Sequence, residues 1–450
     1  MGIATIGVDG VVWGWDNQGV AQIFASWFIA PAISAAFAAI IFLITKYGVL
    51  KRANPLKWGF LMVPMYFGLT SGILTMVIVW GGAPNLRLDK WNTAQTFGCI
   101  LGVSFGVIAV CLFFFIPYLH RLLVKEDWTL RWYHIFLGPL LYRRGPVPEI
   151  PEGAHVSVIQ DYYRGHATRA DLEAANINSS TIINMELLRA QKHAQSNGGE
   201  IPARDTDSIE AEKVTVASDN YPFEAEDSSR WYHPKNLMRI VINAVMHGVR
   251  KDVVLEQSKA SRLAGDLQDV HARAAHFDNK TEHLYSFLQV LTAATASFAH
   301  GANDVSNAVG PLATIYMVWS TGAAKHETDV PLWVLVYGGG GIIIGLWTYG
   351  YNIMRNLGNR LTLQSPSRGF SMELGAAVTV VMATRLALPV STTQCIVGAT
   401  MGVALCNGDL KALNWRMVAW CYAGWLITLP IAGLISGCLM GFIIHAPRWG

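Results

Sequence analysis

Two short polar clusters interrupt otherwise apolar sequence. Gly301-Ala302-Asn303-Asp304-Val305-Ser306-Asn307 offers side-chain oxygens and one carboxylate, and Pro389-Val390-Ser391-Thr392-Thr393-Gln394 offers hydroxyls directly after a proline. Neutral oxygens beside a carboxylate suit a hard cation. Asn303 and Asn307 are four apart, so a helix would carry both on one face. Ser391, Thr392 and Thr393 would sit at a helix start, where unpaired amides and about half a positive charge make a ready anion site. Each pattern also has a plainer use. Asn303 and Asp304 can form a buried helix–helix hydrogen bond or a cap, and the Ser-Thr-Thr run can cap a re-entrant turn. Glu373 can ligate a cation, act as a coupling group, or merely cap a helix near the surface. Arg385, one turn before Pro389, suits an oxyanion fork, but snorkelling or pairing with an acid is the preferred reading. His300 is read as a packed, hydrogen-bonded histidine. Gly338–Gly341 permit close helix contact; they follow no strand and precede no Lys, so they are not a phosphate loop.

The surrounding chain is that of a membrane protein. Hydrophobic residues make up 52% of the 450 and charged residues 14%, against about 25% charged in soluble domains. Mean hydropathy is +0.32, even with the hydrophilic stretch 143–282 included. Apolar runs near 20–45, 58–81, 95–119, 284–320, 331–354, 371–406 and 416–444 supply several segments of the ~20 residues that a bilayer span needs. A soluble enzyme is therefore excluded. No HExxH motif, nucleophile elbow or metal-ligand cluster is present, and no enzymatic activity is expected. A net charge of +3 and a pI near 8.4 are too mild for nucleic-acid binding. Cys99, Cys111, Cys395, Cys406, Cys421 and Cys438 show no CxxC pairing, so they read as small buried apolar side chains. The first residues carry Asp9 and Asp16 and no basic n-region, unlike a signal peptide.

Loop charge gives an expected orientation. Lys46, Lys51, Arg52 and Lys57 lie between the first two runs, and Arg355, Arg360 and Arg368 follow the fifth, with no acid in either set. Short cytoplasmic loops accumulate Lys and Arg, so these loops and the large central one are expected to be cytoplasmic, with the N-terminus outside, and the C-terminus outside too if the 371–406 segment enters and leaves from one face. Trp128–Arg144 reads as an interfacial helix, Leu237–Val254 as an amphipathic helix, and 195–230 as a disordered linker. Two runs are expected to be broken, 284–320 around Gly301–Asn307 and 371–406 at Pro389. Proline removes an amide donor and clashes with the preceding turn. Such breaks survive at bilayer depth only inside protein or beside a cavity, and in pairs they mark a transporter's midplane site.

An internal repeat is visible. Met1-Gly2-Ile3-Ala4 parallels Met401-Gly402-Val403-Ala404, Asp9 parallels Asp409, and Trp15 parallels Trp415. Ala25–Pro31 likewise matches Ala423–Pro430 with a small slip. Residues 1–45 therefore read as the tail of a first repeat whose body is missing. The Asn-Asp and Ser-Thr-Thr clusters occur once.

These clusters appear together with Gln364-Ser365-Pro366-Ser367-Arg368-Gly369-Phe370, Glu373, Leu388 before Pro389, and Trp132–Leu140. In this order the motifs resemble the inorganic phosphate transporter family, especially its fungal phosphate-repressible permeases, over about 1–145 and 284–445. The resemblance implies an all-α polytopic membrane protein, an inverted-repeat transporter with a broken helix and a re-entrant hairpin, its first repeat incomplete. It implies secondary active import of inorganic phosphate by cation symport, with sodium favoured over protons. Phosphate would be held by Ser391, Thr392, Thr393 and Asp304. The cation would be held by Asn303, Asp304, Asn307, Glu373 and Gln394. No cofactor and no metal beyond transported sodium are implied.

Two departures stand out. The first copies of both motifs are missing, as expected of a fragment or an incomplete gene model. Gln394 stands where many relatives have His, which keeps an oxygen and amide hydrogens but removes a titratable group. The expected organisation is a first-repeat remainder with connecting spans over 1–145, a cytoplasmic hydrophilic loop over 146–282, and the second repeat over 283–450. The expected setting is the lipid bilayer of the plasma membrane, and a homodimer is left open. A non-transporting phosphate sensor or an inactive truncated permease is the competing reading.

Overall fold

The computed structural model describes residues 3, 7–9, 11–15, 19–81, 91–149, 158–164, 166, 168–171, 173–174, 238, 242, 246, 265–321, 330–354, 357–386, 388 and 390–445. Among the described residues the chain is helical, with no strand. It divides into one unit of Met1–Ala167 with Val253–Gly450 and another of Thr168–Asp252. In the second unit, Asp171 accepts from Thr168 N at 2.9 Å and from its Oγ1 at 2.6 Å, a local helix-start motif. The expected linker 195–230 lies outside the described residues, as does the amphipathic segment 237–254 apart from Met238, Ile242 and Met246.

The first unit is built from α1 (Val20–Thr45), α2 (Pro55–Gly81), α3 (Thr93–Val110), α4 (Ile116–Val124), α5 (Leu140–Arg143), α6 (Leu267–Ala272), α7 (Asn279–Thr321), α8 (Leu332–Met354), α9 (Pro366–Arg385), α10 (Thr392–Leu405) and α11 (Trp415–His445). Local sequence explains several starts. Asn92 and Gln95 form a reciprocal capping box at α3. Asp278 accepts from Thr281 N at 2.9 Å at the head of α7, and Pro366 occupies the first turn of α9, where its missing donor costs nothing. Among the described residues, five spans are long and apolar enough to cross a membrane: Val20–Leu50, Pro55–Val79, Thr93–Val124, Leu332–Arg360 and Trp415–Phe442. The two remaining apolar runs carry the polar clusters and fold as α7 and as the α9–α10 hairpin.

That hairpin is clamped against α1 by close backbone approach. A Cβ added at Gly398 would stand 2.3 Å from Pro31 O, one at Gly402 2.2 Å from Ala35 O, and one at Gly375 2.6 Å from Ala38 N. Lipid provides no hydrophobic force between helices, so small residues and interhelical hydrogen bonds carry such contacts. Ser34 Oγ adds one, donating to Cys395 O at 2.7 Å. Tyr66, Tyr285 and Phe370 fill the space between α2, α7 and α9, with ring centroids 4.8 to 6.3 Å apart.

The outer ends of the hairpin are tied by buried charge. Glu282 accepts from Tyr163 Oη at 2.9 Å, Ser367 N at 2.9 Å and Ser367 Oγ at 2.8 Å, placing an anion at the start of α9. Lys46 donates to Cys406 O, and Arg368 reaches Asn407 Oδ1 at 3.4 Å. Two cations thus meet the C-terminal end of α10, where the helix dipole favours them.

Two expectations are corrected. Trp128–Arg144 is not one interfacial helix but a 3₁₀ turn, Trp132–Leu137, followed by the single turn α5. Gly138 takes φ +50 and Pro139 follows it, which ends the first turn. Buried Arg121 then pins the strand of chain beyond, pairing with Asp127 at 2.5 Å and donating to Leu141 O, Arg144 O and Gly145 O. The second correction concerns 284–320, which is unbroken. The 43-residue α7 runs straight through Gly301–Asn307. One glycine costs a helix only about 1 kcal/mol, and the Asn303 and Asp304 side chains bond outward rather than to their own backbone. Of the Gly338–Gly341 run, only Gly338 meets a neighbouring helix, its added Cβ falling 2.2 Å from Val309 Cγ1.

Candidate functional site

The expected break in 371–406 is real. Helix α9 ends at Arg385 and α10 restarts at Thr392 with Ser391 as its N-cap. Pro389 lies outside the described residues, as does the side chain of Arg385. Ser391 Oγ faces Gln394 N at 3.4 Å, a long contact, and a helix's first amides, here those of Thr392 and Thr393, have no intrahelical acceptor. The restart therefore presents donors and partial positive charge.

The α7 cluster meets this restart. Asn303 Nδ2 donates to Val390 O at 3.2 Å, one residue before the cap, and to Asp304 Oδ1 at 3.2 Å. His300 bridges the two elements: its Nε2 lies 2.9 Å from Asp304 Oδ2, and its Nδ1 meets Thr392 Oγ1. With the proton on Nε2, the ring donates to the carboxylate and accepts from the hydroxyl. The carboxylate is about one-third exposed, so Asp304 remains open to a ligand while its position is fixed.

Sequence-identified residues separate into two loci. Asn303, Asp304, Ser391, Thr392, Thr393 and Gln394 come together at the break. Thr393 is partly buried, and Gln394 is 6% exposed with its Oε1 lacking any hydrogen-bond partner among the described residues. A buried, unsatisfied amide oxygen costs about 1–3 kcal/mol and is a fitting cation ligand. Asn307, one turn beyond Asn303, is exposed.

Glu373 is elsewhere. It lies within α9, where it accepts from Thr292 Oγ1 at 2.6 Å and Gln289 Nε2 at 3.5 Å. Thr292 precedes Asp304 by twelve residues, about 18 Å along α7. Glu373 is thus neither a surface cap nor part of the Asp304 cluster. His300 is hydrogen-bonded, as its sequence setting suggests, but its partners are two candidate site residues. Its signal was the four-residue spacing to Asp304, which puts both on one helix face.

Geometrically, a carboxylate and amide oxygens lie beside a helix N-terminus carrying hydroxyls. That arrangement can hold an oxyanion next to a cation. No group of three or more His, Cys, Asp or Glu side chains able to hold a metal ion occurs among the described residues.

A polytopic, all-helical membrane protein with its polar residues gathered where a hairpin breaks belongs to the transporter class. The chain is a member of the phosphate transporter family, whose model matches residues 1–436. It is 48% identical to the phosphate-repressible phosphate permease pho-4 of Neurospora crassa, over 100% of this chain and 78% of that one. It is also 27% identical to sodium-dependent phosphate transporter 1-B of Danio rerio, over 97% of this chain and 78% of that protein. A solved sodium-dependent phosphate transporter shares the fold, with TM-score 0.56 and 18% identity over 99% of this chain and 71% of that one.

Proposed function

We propose that the protein imports inorganic phosphate across the plasma membrane together with sodium, the 46–57, central and 355–368 loops facing the cytoplasm. The observation that carries this reading is the joint between α7 and the hairpin, where His300 links Asp304 to Thr392 and Asn303 reaches Val390. Phosphate would rest on the hydroxyls and first amides of Ser391, Thr392 and Thr393, beside Asp304. Sodium would take oxygens from Asp304, Asn303 and Gln394, with Asn307 reaching in from the next turn. The unsatisfied Gln394 oxygen supports the cation assignment, and an amide there favours sodium over a titrating group. Glu373 would serve a cation only at its own locus with Thr292 and Gln289. Transport would proceed by alternating exposure as the hairpin tip shifts against α7, carrying the oxyanion and its counterion together.

The test is labelled-phosphate uptake by phosphate-transport-deficient cells expressing the chain. Sodium-dependent uptake that collapses when choline replaces sodium supports the reading. Uptake driven equally by an imposed proton gradient without sodium overturns the cation assignment. Phosphate binding with no uptake would instead favour a sensor.

A further inference from the structure

A cavity of about 680 Å³ lies where α2 begins and α4 ends. Both helices belong to membrane-length spans, so the cavity stands at a membrane boundary. Lys280 on its wall precedes Asp304 by 24 residues, about 36 Å along α7, so this is not the transport site.

Its walls are of two kinds. Pro55, Phe60 and Val124 are apolar, whereas Lys57 and Lys280 bring positive charge. Lys57 is exposed, with no ion-pair partner among the described residues. Lys280 meets Glu126 at 2.5 Å, but in a half-exposed pair, and such pairs hold their partners weakly. Asp278, also on the wall, is occupied by Thr281, whose N and Oγ1 donate to it at 2.9 and 2.8 Å. His120, whose ring lies 5.9 Å from Phe60 and 5.5 Å from Tyr142, has a buried Nδ1 without a hydrogen-bond partner among the described residues. Beside the cavity, Lys51 stands 5.2 Å over Tyr47 and Arg52 5.1 Å over Trp58. Basic and aromatic side chains together mark the headgroup level of a bilayer.

We propose that this cavity holds an anionic phospholipid, its phosphate against Lys57 and Lys280 and an acyl chain along Phe60 and Val124. A free oxyanion would use the lysines and leave the apolar wall unfilled. A neutral lipid would fill the wall and leave Lys57 without an ion-pair partner. A phospholipid with net negative charge satisfies both at the depth where such lipids reside.

Native mass spectrometry of the full chain, released from nanodiscs of mixed phosphatidylcholine and phosphatidylserine, tests this. Phosphatidylserine should be retained preferentially, and Lys57→Ala with Lys280→Ala should cut retention by about fivefold per lysine. Lys57→Gln alters one exposed, unpaired side chain and should lower retention by about fivefold on its own, which keeps the test open if the double variant misfolds. Lys411→Ala, at an exposed side chain that does not line the cavity, should change nothing. Undiminished retention in the lysine variants, an equal loss in Lys411→Ala, or displacement of the lipid by inorganic phosphate would each overturn the proposal.

Discussion

His300 shows how one side chain can make two motifs into one site. It holds Asp304 with one ring nitrogen and Thr392 with the other, so removing it frees a carboxylate and a hydroxyl at once. Hydrogen bonds to charged groups contribute about 1.5–3 kcal/mol. His300→Ala is accordingly expected to lower phosphate uptake by about tenfold or more, measured at matched membrane abundance, while the purified protein still elutes as a single species. Outside the spans, His271 offers a pH test. Burial pushes its imidazole down to about 4, against a bond to Asn359 O that pulls the other way, and His166, Arg368 and His276 add positive neighbours. Between about pH 6.5 and 4 the unfolded chain binds a proton that the folded chain refuses, so stability falls as pH falls through that window. The loss amounts to roughly 3 kcal/mol. Thermal unfolding at pH 7.5 and 4.5 should show a larger drop for the native protein than for His271→Gln; equal drops would remove His271 from the account.

At the scale of elements, the hairpin is positioned by glycine. Gly398 and Gly402, four apart on α10, bring that helix against Pro31 and Ala35 of α1. Gly398→Ala should destabilise the protein by about 1–3 kcal/mol through overpacking, whereas Gly424→Ala, which meets open space, should be neutral or mildly stabilising. Similar unfolding midpoints for the two would refute the close approach. The spacing of these glycines was in plain view, yet sequence reasoning settled on Gly338–Gly341, because a small residue shows where contact is allowed and not with which helix. The break before Ser391 was legible because Pro389 is followed closely by the cap-forming Ser391, Thr392 and Thr393; proline alone is no such sign, since Pro31, Pro64, Pro311 and Pro430 lie inside continuous helices. The continuity of α7 was not legible. The partners that take up the Asn303 and His300 side chains, Val390 O and Thr392, lie 87 and 92 residues downstream. The pinning of 140–145 by Arg121 was hidden for the same reason, as backbone carbonyls leave no trace in residue type.

For the whole molecule, membrane character and family followed from composition and motif order, and the comparisons bear both out. The residues that meet at the candidate site were legible too, in Asn303, Asp304 and Ser391–Thr393. Its division was not. Glu373 belongs with Thr292 and Gln289 because α7 is long and continuous, and a sequence cannot show how far apart one helix holds two partners. The account as a whole rests on Asp304 serving the transported ions at the α7–hairpin joint. Uptake of labelled phosphate by phosphate-transport-deficient cells, comparing the native chain with Asp304→Asn at equal membrane abundance, addresses this directly. The account predicts at least a tenfold loss in the variant, since an amide keeps the shape but not the charge. Equal uptake by the two proteins would contradict it.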